Sequence, residues 1–142
     1  MARIDFYVLA ASGEHSRQHF ACRLAEKAYR QKNIVHLKVS DTQSADAVNT
    51  LLWTFSDGSF VPHELVAEGT VDRIAPVTIG VNPPNNRTLD LLINLTDTVP
   101  DDLSSFPRVA EIVTSDEASK IRSREHFAAY RNAGHTLDTH RM

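Results

Sequence analysis

The segment LDLLINL, residues 89–95, is apolar at nearly every position. A strand with one side in solvent alternates apolar and polar residues, whereas a strand covered on both faces is apolar throughout. This segment therefore predicts an interior strand of a sheet that has a layer of structure on each side. Few folds other than the layered α/β folds contain such a strand.

Strand-like and helix-like segments alternate along the chain. In residues 16–32 apolar side chains recur every fourth position without an intervening Gly or Pro, which predicts an amphipathic helix. The predicted elements, in chain order, are a strand at 3–10, a helix at 16–32, a strand at 33–39, a helix at 44–55, strands at 75–81, 89–95 and 108–113, and a helix at about 115–133.

Capping residues set the expected ends of the helices. Ser44 is a candidate cap for the second helix, and Thr114 with Glu117 matches a capping box for the last one. Gly134 is a typical C-terminal stop, so we expect residues 135–142 to form a tail.

This order of elements predicts a single domain, residues 1–142, with an α/β fold. We expect a three-layer α/β/α arrangement around a mostly parallel sheet, Rossmann-like but without a nucleotide-binding loop. The link at 82–87 is too short for a crossover between neighbouring parallel strands. The strands at 75–81 and 89–95 are therefore either an antiparallel pair or not neighbours.

Composition excludes several classes of protein. Hydrophobic residues make up 42% of the chain and charged residues 23%, which is ordinary for a globular protein and excludes a disordered or fibrous one. The net charge of −3 argues against general nucleic-acid binding. With Cys22 as the single cysteine no internal disulfide can form, and no apolar run reaches membrane-spanning length. We expect a cytoplasmic protein.

Motifs for catalysis or cofactor binding are missing from the sequence. The first strand-to-helix turn, AASGEHS, has one glycine and matches neither of the phosphate-binding patterns G-x-G-x-x-G and G-x-x-x-x-G-K-[ST]. The chain also has no G-x-S-x-G nucleophile elbow. His15 and His19 have the i, i+4 spacing of a metal site, but we expect a solvated surface pair. We therefore predict no catalytic residue, no metal and no cofactor.

The last predicted helix carries a cationic stripe. Its members are spaced by 4, 3 and 4 residues: Lys120, Arg124, Phe127 and Arg131. A different stripe, formed by Ala118, Ile121 and Ala128, is expected to pack on the sheet. Tyr130 is expected at the margin of that stripe. Cations beside an aromatic ring suit an acidic segment with an apolar anchor, although a solvated helix face is the plainer alternative.

Aromatic residues also flank a turn-like segment. Trp53 ends the second predicted helix, Phe60 follows shortly after, and residues 56–59, Ser-Asp-Gly-Ser, lie between them. The pattern leaves three alternatives for these aromatics: core, the rim of an active site, or a docking surface for another protein. A helix ending in Leu-Leu-Trp often turns its last aromatic inward, so Trp53 has the core as its main alternative.

Two motifs of the chain are specific. One is LLW followed by SFVPHELVAEG, within residues 51–69, and the other is REHFAAYRNAGHTLDT at 124–139. Together they resemble a known family, the chi subunit of bacterial DNA polymerase III holoenzyme. The resemblance extends over nearly the whole chain. It implies an α/β/α accessory subunit of the clamp loader that is not an enzyme and has two protein partners.

The resemblance also implies two sites. Positions matching the surface that binds the psi subunit of the clamp loader are Trp53, Phe60, Val61, Pro62 and His63. Positions matching the site for the acidic, phenylalanine-ended C-terminal tail of single-stranded DNA-binding protein are Lys120, Arg124 and Phe127, with Val113 and Gly134 at the edges. Arg131 joins this site through the spacing of the stripe.

The chain departs from the family pattern at two positions of the tail site. A member of the family has Tyr at the position of Phe127 and a basic residue at the position of Ala128. Two alternatives follow: the tail site is weaker in this chain, or Arg131 or Arg122 supplies the missing charge. Two other functions stay open from the residues alone. One is a small nucleotide-dependent α/β enzyme with an atypical phosphate loop at Ser12 and Gly13, and the other is direct DNA binding by the basic helix.

Overall fold

A computed structural model describes residues 2–56, 58, 60–66, 75–83, 88–100 and 106–142. Parts of the segment at 56–59, Ala67 to Gly69 of the first motif and most of the link at 82–87 lie outside the described residues. In chain order the elements are β1 (Arg3–Val8), α1 (Glu14–Arg30), β2 (Val35–Lys38), α2 (Thr42–Thr54), β3 (His63–Leu65), β4 (Val77–Gly80), β5 (Leu91–Asn94), β6 (Arg108–Val113), α3 (Glu117–Asn132) and β7 (Thr136–Arg141).

The seven strands of the described residues form one sheet in the order β3-β4-β2-β5-β6-β1-β7. Every pairing in this sheet is parallel. The three-layer α/β expectation is confirmed. β2 separates β4 from β5, so the strands on either side of the 82–87 link are not neighbours, which was one of the two predicted alternatives.

Alternate residues of the central strands pack into two separate cores. In β5, Leu91 and Ile93 join the core beneath α1 and α2, whereas Leu92 joins the core beneath α3. In β6, Ala110 belongs to the first core and Val109 to the second. All four residues of β5 are buried, as its continuous apolar sequence predicts.

The capping predictions are only partly right. The cap of α2 is Asp41, whose carboxylate accepts from the Ser44 N–H at 2.8 Å, so Ser44 is not the cap. The capping box of α3 is also wrong, because the Thr114 hydroxyl donates to Asp116 instead of capping the helix. Gly134 does end α3: it has a φ of 88°, and its N–H donates to the Arg131 carbonyl.

The predicted C-terminal tail is instead the edge strand β7. Six residues of β7 pair with β1, from Arg3 opposite Thr136 to Val8 opposite Arg141. Its sequence, TLDTHR, is too polar to read as a strand by itself. Side-chain contacts hold it in place, because Asp138 lies 3.3 Å from Arg3 and His140 lies 2.9 Å from Asp5.

Candidate functional site

The cationic stripe of α3 lies on the flank of the helix that faces β1 and β7. Lys120, Arg124 and Arg131 are exposed, and Phe127 is half-buried with its ring 5.4 Å from that of Phe6 in β1. The aromatic side chain thus lies where the helix meets the sheet, with the cations outside it. Val113 is buried at the end of β6, and Gly134 is exposed just beyond the helix.

The face of α3 that packs on the sheet is not the predicted one. Ala118 and Ala128 are exposed and Ile121 is 47% exposed, so the prediction that they pack on the sheet is wrong. The residues that do face the sheet are polar or amphipathic: Ser119, His126 and Tyr130, all buried. Tyr130 is fully buried and not at a margin.

A buried polar cluster explains this inverted pattern. The Glu111 carboxylate, in β6, accepts from His126 Nδ1 at 3.0 Å, from the Tyr130 hydroxyl and from Asn94 Nδ2 at 2.7 Å. His126 Nε2 donates to the Asp97 carbonyl at 2.9 Å. Both partners of the His126 ring are acceptors, and a neutral imidazole has a single N–H. His126 is therefore an imidazolium in this arrangement.

The electrostatics of the cluster agree with that assignment. Burial lowers the pKa of His126. The hydrogen bond to Glu111, the charge of Glu111 and the hydrogen bond to the Asp97 carbonyl together outweigh this effect, so the pKa is raised above 6.5. Burial, and then the charge of Glu111, raises the pKa of the Tyr130 phenol. Tyr130 therefore keeps its proton and donates it. The cluster holds α3 at a defined position on the sheet.

Arg122 lies on the opposite flank of α3 from the stripe. Its Nη1 atom is 2.8 Å from Asp97 Oδ1, beyond β5, and its Nη2 atom is 3.4 Å from Ser119 Oγ. The expectation that Arg122 could supply a charge to the stripe is therefore wrong. Arg131 remains on the same flank as Phe127, about one turn further along the helix.

A second exposed feature, which we call the aromatic cluster, consists of Trp53, Phe60 and His63. The Trp53 ring centroid is 4.8 Å from that of His63 and 5.9 Å from that of Phe60. Trp53 is 58% exposed and Phe60 is 62% exposed. The core alternative for Trp53 is therefore wrong, and both rings lie on the surface.

The residues around this cluster face in different directions. Leu52 is 1% exposed, so the next residue of α2, turned by about 100°, faces out. Val61 is 1% exposed and packs in the core with Leu52, so it cannot present its side chain to a partner as a surface residue would. Pro62 is half-buried, and His63 belongs to the edge strand β3, where its Nδ1 donates to the Val61 carbonyl at 2.6 Å.

The two exposed features belong to opposite ends of the sheet. The aromatic cluster includes a residue of β3, the first strand in the sheet order, and the stripe borders β1 and β7 at the other end. Six strand spacings separate the two edge strands, a distance of about 29 Å. A partner can therefore reach either surface without contacting the other.

Comparison with known proteins decides the family. A family model described as DNA polymerase III chi subunit, HolC, matches residues 1–138. The chain belongs to the DNA polymerase III chi subunit family.

Individual relatives of the chi family align over almost their full length. The DNA polymerase III subunit chi of Pseudomonas aeruginosa is 40% identical over 142 residues, which is 100% of this chain and 98% of that protein. The subunits chi of Haemophilus influenzae and Escherichia coli are each 31% identical, over 95% and 98% of this chain and 94% and 97% of their own.

The rival enzyme hypothesis requires a phosphate-binding loop at the first strand-to-helix turn, and the geometry of this turn does not favour one. A cavity of about 620 Å³ opens there, between the end of β1 and the start of α1. However, the Gly13 N–H donates to the Asp116 carboxylate at 3.2 Å. The Thr114 hydroxyl and this N–H lower the pKa of Asp116 to about 2, so a negatively charged carboxylate already binds the Gly13 N–H that a phosphate at this turn would need.

His15 and His19 line the same cavity, and their ring centroids are 6.3 Å apart. Within the described residues no group of three or more potential metal ligands comes together. The helices of the described part of this chi family member lack the length and apolar character needed to cross a membrane.

Sequence reasoning missed the Glu111 cluster. One signal was present: Glu111 is the single charged residue inside the otherwise apolar stretch VAEIV. A charge in an interior strand needs a buried partner, and His126 and Tyr130 share one helix face at i, i+4. Together these residues could have identified the inward face of α3.

Proposed function

We propose that this chain is a non-catalytic adaptor of the replication machinery, located in the cytoplasm. It binds the acidic C-terminal tail of single-stranded DNA-binding protein through Lys120, Arg124, Phe127 and Arg131, with Val113 and Gly134 at the edges. It binds the psi subunit of the clamp loader through the aromatic cluster and Pro62. It uses no cofactor and no metal.

The observation that carries the proposal is the pairing of cations with a ring at the α3 flank. Phe127 is held against Phe6 while the charged ends of Lys120, Arg124 and Arg131 stay in solvent. Arg124 has an exposed, long contact of 3.7 Å with Glu117, which is weak enough to exchange for a ligand carboxylate. An acidic peptide with a terminal aromatic matches both features, because its carboxylates bind the cations and its ring packs beside Phe127.

Titration with a fluorescent acidic peptide ending in Pro-Phe tests this site. We expect Arg124→Ala to weaken binding by about ten- to a hundredfold, the range of a lost charge-assisted hydrogen bond. Lys27→Ala, an exposed cation on α1 on the other face of the sheet, is the matched control and leaves affinity unchanged. Affinity also falls as salt is added. Absence of binding at low salt, or equal binding by Arg124→Ala, refutes the tail site.

The aromatic cluster supports the second half of the proposal. Trp53 and Phe60 expose large apolar rings at an edge of the sheet, which is the composition of a binding hot spot. Co-purification with the psi subunit tests it: we expect Trp53→Ala to lose psi. Ile121→Ala, an exposed apolar residue on α3, retains it. If both variants retain psi, the cluster is not its binding surface.

A further inference from the structure

One row of residues crosses the sheet on the side covered by α3. Val113 of β6 is in register with Val8 of β1, and Val8 is in register with Arg141 of β7. Residues in register on parallel strands point to the same face, so Arg141 shares the face of Val113. The same pairing sets Thr139 beside Phe6, on which the Phe127 ring packs.

Helix α3 runs antiparallel to these strands. Its start is tied to the carboxyl end of β1, because the Ser115 N–H donates to the Ala11 carbonyl at 2.9 Å. Its end is tied to the beginning of the sheet, where the Ala2 N–H donates to His135 Nδ1 at 3.0 Å. Arg141, the last residue of β7, therefore lies toward the N-terminal half of α3, which carries Lys120 and Arg124.

The charged and titratable residues of β7 lie on two different faces of the sheet. Asp138 and His140 of β7 face the α1 side of the sheet, where they contact Arg3 and Asp5. Arg141 lies on the other side and is exposed, and it has no ion pair within the described part of the chain. A cation with no intramolecular carboxylate is free to bind one from a ligand.

We propose that Arg141 is a further binding residue for the acidic tail, located on the sheet edge across from the α3 cations. The tail then lies between α3 and β7, with Val8 and Phe127 forming an apolar floor and cations on both walls. This inference rests on the proposed function and adds to it the strand that forms the second wall.

The test is the same peptide titration, with Arg141→Ala, Arg141→Lys and Lys27→Ala measured beside Arg124→Ala. We expect Arg141→Ala to weaken binding roughly three- to tenfold and to flatten the salt dependence, as the loss of one exposed charge contact does. Arg141→Lys keeps the charge and recovers most of the affinity. Thermal melts of all variants report whether a substitution destabilises the fold, and Arg141→Lys separates the loss of the charge from the loss of the side chain.

The outcomes separate the two proposals. If the wild-type chain fails to bind the peptide, the proposed function fails. If it binds and Arg124→Ala weakens binding while Arg141→Ala matches wild type, only the role of Arg141 is refuted. If Lys27→Ala weakens binding as much as Arg141→Ala, the effect is one of net charge, and the role of Arg141 is likewise refuted.

Discussion

Glu111 and His126 form a buried ion pair beneath α3, with Oε1 and Nδ1 3.0 Å apart. The pair joins a central strand to the helix that carries the cationic stripe. Its members are separated by 15 residues along the chain, so only the folded structure brings them together.

This pair makes stability depend on pH. The pKa of His126 is raised above 6.5 on folding, so its contribution is fully present below about pH 6.5 and is lost as pH rises through the folded-state value. Urea unfolding at about pH 6 and about pH 9 measures it. We expect the difference in unfolding free energy between wild type and His126→Gln to be larger at the lower pH. An identical difference at both values would contradict the imidazolium assignment.

Two adjacent residues of α2 are expected to differ in how much their truncation lowers the free energy of unfolding. Leu52→Ala removes a fully buried side chain and should lower the free energy of unfolding by about 2–5 kcal/mol. Trp53→Ala removes an exposed ring and should cost less than about 1 kcal/mol. Chemical denaturation monitored by circular dichroism compares them. A larger loss for Trp53→Ala would place that ring in the core.

Cys22 should be inert in the folded protein. Burial raises the pKa of its thiol to about 12, and the thiolate is the reactive form. Labelling with Ellman's reagent at neutral pH should be at least about a hundredfold slower in the native protein than in urea, because it requires opening of the core. Rapid stoichiometric labelling of the native chain would show that Cys22 is accessible.

Gly80 at the end of β4 is expected to resist substitution. A Cβ atom there would lie 2.8 Å from the Val66 carbonyl oxygen and 3.2 Å from the Val66 Cβ. Gly80→Ala should therefore push the segment after β3 away and cost about 1–3 kcal/mol. Since His63 of β3 contacts Trp53, the emission of this single tryptophan should shift as well.

Gly134→Ala serves as the comparison for this variant. Its φ of 88° makes alanine unfavourable by about 1 kcal/mol, but nothing lies within 4 Å of the added atom. It should destabilise the protein without shifting the tryptophan emission. Equal emission shifts in both variants would argue against a local effect at β3.

Local patterns in the sequence determined the fold class. The continuous apolar run at 89–95 predicted a strand buried on both faces, and β5 is buried at every position. The alternation of strands and helices predicted the layers, and Gly134 predicted the end of α3. These features depend on short-range periodicity and backbone preference, which are readable over a few residues.

Short-range spacing also predicted the cationic stripe of α3, but it did not predict which face of the helix packs on the sheet. Spacing of 4, 3 and 4 predicts which residues share a helix flank, but it does not say which flank meets the sheet. The apolar character of Ala118, Ile121 and Ala128 predicted that these three residues pack on the sheet. The helix instead turns His126 and Tyr130 inward because Glu111 needs partners, and that need exists only once β6 lies beneath α3.

Pairing between distant segments decided the remaining features. TLDTHR becomes the strand β7 because β1 offers six backbone partners and two polar side-chain contacts, none of which is encoded nearby in the chain. The same pairing brings Arg141 into the row of Val8 and Val113, 28 residues beyond the latter (141 minus 113). Local sequence patterns predicted most of the helices and strands, though not β7, and they predicted which side chains share a helix face. Which helix face is buried, and that Arg141 lies in the row of Val8 and Val113, follow from the folded structure alone, because burial and register depend on contacts between segments far apart in the chain.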